Sequence, residues 1–62
     1  MITFKKMRKM VSRHGFSLNK SNVKPYNFVL RNNRTRAERH YHELVDIGPD
    51  AEEITEGMTP FA

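Results

Sequence analysis

An α+β domain is predicted: a basic N-terminal helix packed on a small antiparallel sheet of two or three strands, then a short acidic C-terminal helix. Phe4, Met7, Met10 and Val11, continued by His14, recur at intervals of three and four, which places them on one helical face. Phe16 and Leu18 alternate with Ser17 and Asn19, and Tyr26, Phe28 and Leu30 alternate with Asn27 and Arg31. That period of two marks strands with one buried face. Asp50-Ala51-Glu52-Glu53 opens a third patterned segment in which Ala51, Ile54 and Met58 share a face before Gly57 closes it.

Taken in order, Thr3 is placed to cap a helix of about three turns, and Gly15 to end it. Lys5, Arg8, Lys9 and Ser12 form an outer stripe, with Lys6 and Arg13 beside it and no acid for i,i+4 pairing. Ser21-Asn22-Val23-Lys24-Pro25 joins the two strands, since Asn and Pro favour a turn and Pro25 cannot donate to a ladder. The helix is expected to lay Phe4, Met7 and Val11 on Phe16, Leu18, Tyr26 and Phe28. Asn32-Asn33 reads as a second turn. Residues 36–47 support two readings. Thr35-Arg36-Ala37-Glu38 matches a capping box, and Ala37, Tyr41, Leu44 and Val45 keep helical spacing. Tyr41, Val45 and Ile47 also alternate well enough for a third strand, which a marginal two-stranded sheet needs. Gly48-Pro49 is expected to stop either element. Residues 1–58 form the predicted domain and 59–62 a frayed tail, from which Phe61 can dock on the core.

Composition narrows the function. With 62 residues and no cysteine, one thin core must stand without disulfides, so self-association or a bound partner is expected, with a bare monomer as the alternative. No apolar run approaches the roughly 20 residues of a membrane span, and the start lacks the apolar stretch of a signal peptide. No membrane partner and a cytoplasmic location are therefore expected. The net charge of +4 hides a division: residues 1–37 carry ten basic groups and no acid, whereas residues 38–62 carry Arg39 against seven acids. Such asymmetry suggests a basic binding surface and an acidic segment; the plainer alternative is that the two ends neutralise each other in the fold.

Enzymatic chemistry is not expected. No nucleophile elbow, paired-carboxylate cleft or phosphate-cradling glycine loop is present. His40-Tyr41-His42, with Glu38, Glu43 and His14 nearby, is the one metal candidate. On a strand the two histidines would share a face, but the spacing is not that of a zinc site, so neither metal nor cofactor is expected.

The succession of a short basic helix, Gly15-Phe16-x-Leu18 opening a strand, and Tyr26-x-Phe28 in a second strand resembles the front half of the HicA (YcfA-like) toxins. The resemblance covers Phe4 to Leu30. It implies a double-stranded-RNA-binding-like α-β-β-β-α fold, in a family that cleaves messenger RNA with a second-strand histidine. Asn22 to Leu30 contains no histidine and no Gly-Ser-His precedes it, so that chemistry does not carry over. The Gly15-Phe16-Ser17-Leu18-Asn19-Lys20-Ser21 hairpin also resembles short phage and prophage reading frames.

Nucleic-acid binding leads, because phosphate neutralisation needs clustered Lys and Arg. Lys5, Lys6, Arg8, Lys9 and Arg13 supply one row, and Arg31, Arg34 and Arg36 another, with Asn27, Asn32 and Asn33 as extra hydrogen-bonding groups. Tyr26 and Phe28 offer stacking surfaces, although aromatics alternating on a strand more often form core. The competing reading is an inhibitor or interaction module that engages a host protein through Glu43, Asp46, Glu52, Glu53 and Glu56. In a third reading the acidic segment masks the basic face.

Overall fold

The computed structural model describes residues 3–61. Its elements run α1 (Phe4–Ser12), β1 (Phe16–Lys20), β2 (Phe28–Asn32), β3 (Glu38–Tyr41) and α2 (Leu44–Thr55). The strands form one antiparallel sheet in the order β1-β2-β3. Thr3 caps α1 by accepting the Lys6 N–H at 3.2 Å. Gly15, at φ +80°, takes the left-handed conformation that lets the chain turn directly into β1.

Register decides which side chains meet. Leu18 pairs with Leu30 and Leu30 with Arg39, while Phe28 pairs with Tyr41. Opposed residues share a face, so Phe16, Leu18, Phe28, Leu30, Arg39 and Tyr41 all look toward the helices. Against them α1 buries Met7 and Val11, and α2 buries Ile47, Ala51 and Ile54. Each large side chain removed from water contributes about 1.5–3 kcal/mol. α1 packs over β1 and α2 over β3, with the two helices side by side. The molecule is 16 Å through its thin axis, one helical layer on one sheet.

Residues 36–47 follow the strand reading as far as Tyr41, and the helix expected from Thr35 is not formed there. β3 is short and ends at Tyr41; the helix starts only at Leu44. Thr35 caps no helix: its Oγ1 accepts the Ala37 N–H at 3.3 Å, and Arg36 takes φ +67° as the hairpin turns. A third strand wins because it places Tyr41 over the core and pairs the free edge of β2.

Gly48-Pro49 does not stop the chain, contrary to expectation; both lie inside α2. Proline normally excludes the helical conformation one residue earlier by clashing with a Cβ, and Gly48 has none. Proline also removes the bond to the carbonyl four residues back. That carbonyl belongs to Val45, at 73% the most exposed large apolar residue described, where water is available to it. Burial of Ile47, Ala51 and Ile54 across the interruption outweighs the remaining cost. Tyr26 is a second correction, since it lies away from the helix-facing side. Phe61 packs on the core, as the sequence allowed, edge-on to Phe16 at 5.7 Å between centroids.

Replacing Pro49 restores a helical hydrogen bond without touching the core. Pro49→Ala is expected to raise stability by about 1 kcal/mol in urea denaturation. A loss of stability would place Pro49 outside a continuous helix.

Candidate nucleic-acid interface

Lys, Arg and Met are good helix formers with long, adaptable side chains, so α1 tolerates a one-signed outer face. Lys5, Lys6, Arg8 and Lys9 are exposed, as is Arg13 just past the last turn. Lys6, Lys9 and Arg13 surround an open cleft of about 260 Å³ floored by Met10. Cations near the helix C-terminus are additionally favoured by the dipole.

The second row joins the first at one end of the molecule. The Asn33 N–H donates to the Gly15 carbonyl at 3.0 Å, and the Ser17 hydroxyl donates to Asn33 Oδ1 at 2.9 Å. These bonds tie the β2–β3 turn to the α1–β1 corner. His14 and Arg34 consequently line one cleft of about 280 Å³, together with Gly15, Phe16, Asn32 and Thr59. Lys6, Lys9, Arg13, His14 and Arg34 thus form a continuous track, and Arg36 is exposed in the same turn.

Arg31 is separated from that track. It points from the centre of the sheet to the face away from the helices, where its Nε is buried with no hydrogen-bond partner. Arg8 connects the two sides: it reaches round the β1 edge to donate to Asn19 Oδ1 at 3.4 Å. The asparagines expected at the interface are committed elsewhere. Asn32 is buried, and its Oδ1 accepts the Arg34 and Thr35 N–H groups. Asn27 donates to the His42 carbonyl at 2.7 Å.

The two charged ends are not joined by ion pairs from the N-terminal cations among the described residues. Among the described residues the one ion pair is Arg39–Asp50, at 3.0 Å, and it involves none of the ten N-terminal cations. Tyr41 donates its hydroxyl to the same Asp50 oxygen, while the Arg39 guanidinium lies 5.0 Å above the Phe61 ring. Burial first, then the hydrogen bond and the charge of Asp50, push the Tyr41 phenol well above its ordinary value. The hydrogen bond to Asp50 holds Arg39 still more firmly protonated. Glu43, Asp46, Glu52 and Glu56 are exposed along α2 and Glu53 is half-buried. Asp46 also accepts the Glu43 N–H at 3.1 Å, fixing the helix start. This acidic row adjoins α1 but belongs to a helix that supplies core residues. It is not a detachable tail.

The uncovered sheet face gathers groups the sequence did not bring together. Tyr26 packs on His40 and His42, with ring centroids 5.6 and 4.9 Å away. Ser21 Oγ shares a 2.9 Å hydrogen bond with His40 Nδ1. Alternation in His40-Tyr41-His42 puts both histidines opposite Tyr41 once residue 41 faces the core. Tyr26 joins them because the chain before β2 leaves the strand's alternation. No three potential ligands converge as a metal site among the described residues, and no helix is long and apolar enough to cross a membrane. The chain matches no protein-family model, and comparison with curated proteins and with solved structures finds no match either.

Tyr41 predicts an alkaline limit to stability. The unfolded chain ionises tyrosine near 10.0, whereas the fold retains the neutral phenol. Stability is therefore intact below pH 10 and lost as pH rises toward the folded value, by at most about 1.4 kcal/mol per pH unit from this group. Urea midpoints measured against pH should fall more steeply above pH 10 in the wild type than in Tyr41→Phe. Arg36 gives a second expectation, because asparagine tolerates left-handed backbone at lower cost. Arg36→Asn should gain up to about 1 kcal/mol on thermal melting, and a variant that loses stability refutes the turn geometry.

Proposed function

We propose that the protein is a non-enzymatic nucleic-acid-binding module acting in the cytoplasm, of the kind that short phage and prophage reading frames encode. The observation that carries this reading is the absence, among the described residues, of any ion pair to the cations of α1 and the β2–β3 turn. Seven basic groups of α1 and the turn (Lys5, Lys6, Arg8, Lys9, Arg13, Arg34 and Arg36), without carboxylate partners among the described residues, create a positive surface, and phosphate is a ligand that such a surface selects. A cysteine-free composition fits a reducing compartment. Position matters as much as charge. The acidic row of α2 lies in the same helical layer as α1, so a polyanion is steered to the outer side of α1, where Lys5 and Lys9 project, and to the turn.

A second reading rests on α2 itself. Val45, exposed by 73%, lies beside Glu43 and Asp46 at the start of α2, and Met58, exposed by 52%, follows Glu56 past its end; exposed apolar side chains next to carboxylates suit a basic protein surface. A host protein, engaged and inhibited there, is the alternative partner.

Salt and charge reversal separate the two. Polynucleotide affinity should fall log-linearly with salt concentration, with a slope of several released counterions, and should be lost in the double variant Lys5→Glu/Lys9→Glu. A chain that ignores polynucleotides yet loses a protein partner on Glu52→Lys/Glu53→Lys would replace the first reading with the second.

A further inference from the structure

With both helices on one side, the other side of the sheet is left to solvent, and its composition is unusual for an idle surface. Across it run Ser17, Arg31 and Glu38, then Asn19, Val29 and His40, with Ser21 beside His40. Tyr26 and His42 complete it at the end where β1 turns into β2. Three ring systems therefore meet on a polar surface, outside the core cluster of the fold. Planar rings on an open sheet are sequence-tolerant platforms for unpaired bases, because every base has a stacking face.

Charge identifies the occupant. Arg8 wraps the β1 edge to Asn19 and carries positive potential from α1 round to this face. Arg31 lies on the central strand, one row from His40 and at the end of the face away from Tyr26, with an Nε that meets no acceptor, so its guanidinium gains by turning to an oxygen that a ligand supplies. The one acid in the strands is Glu38, opposite Arg31 in the register and not ion-paired with it among the described residues. The acids of α2 lie in the helical layer on the other side. Aromatic rings bordered by unpaired cations fit a ligand that alternates flat rings with anionic links.

We propose that this sheet face binds single-stranded polynucleotide. Tyr26, His40 and His42 stack unpaired bases, while Arg31 and Arg8 hold the adjoining phosphates. The proposal rests on the nucleic-acid reading and specifies its substrate class: single strands rather than duplexes. The basic track of α1 and the turn binds phosphate without regard to strandedness; the sheet face discriminates, because duplex bases present no free stacking surface. Ser21 sets the orientation of the His40 ring through Nδ1, leaving the ring face available.

Fluorescence anisotropy with the intact chain tests this. The probes are a short single-stranded uridine RNA, its thymidine DNA counterpart, a blunt duplex of the same length, and an abasic strand that keeps the phosphates but lacks the bases. Wild-type protein is expected to prefer either intact single strand over the abasic strand by about tenfold, the contribution of roughly one stacked base. Tyr26→Ala should abolish that preference, Tyr26→Phe should keep it, and neither should alter duplex affinity. Equal affinity for intact and abasic strands overturns the sheet-face proposal while leaving phosphate binding by α1 in place. If no probe binds, the proposal and the nucleic-acid reading fall together. The abasic comparison needs no variant, so it decides the matter even if Tyr26→Ala does not fold.

Discussion

Everything in this molecule depends on one-sided burial of a three-stranded sheet. A sheet of this size has only one face that two short helices can cover, and both cover the same one. Leu18 and Leu30, paired across β1 and β2, are fully buried beneath them together with Val11 and Ile47. With so few core residues, no single element is dispensable. α2 in particular is held by packing, not by helix propensity: it contains a glycine and a proline in succession, together costly in isolation, and forms because Ile47, Ala51 and Ile54 have nowhere better to go.

The polar contacts reinforce that arrangement at its weakest seam. β3 is four residues long and lies at the sheet edge. Arg39 and Tyr41, both helix-facing, converge on Asp50 from α2, and Phe61 lies under Arg39 and against Phe16. This cluster joins edge strand, second helix and C-terminal segment. It contains the one ion pair found among the described residues, which draws on Arg39, not on the cations of α1. Among the described residues the remaining basic side chains have no ion-pair partner.

Much of this architecture was legible because short-range pattern and long-range burial agree. The α1 stripe, the Thr3 cap, the Gly15 turn and the β1–β2 pairing follow from residues whose local preference matches their tertiary environment. Gly48-Pro49 misled because its meaning is conditional: it breaks a helix that nothing else supports, but not one whose flanking turns are buried. Tyr26 misled for a related reason. Its alternation with Phe28 suggested a shared face, yet the strand begins only at Phe28, and two residues outside a ladder owe nothing to its periodicity. The cluster with His40 and His42 was hidden because its members come from separate segments and meet only once the β2–β3 register is set.

Residue order alone determined the charge division, the amphipathic first helix, the aromatic hairpin and the absence of disulfides, since each depends on which side chains are present and how they are spaced along the chain. Tertiary structure alone decided that both helices share one side, that α2 runs through its proline, and that three rings gather on the open face while the cations of α1 form no ion pair among the described residues. Those outcomes are settled by competition among contacts distant in sequence, where burial of a few apolar side chains overrides local preference.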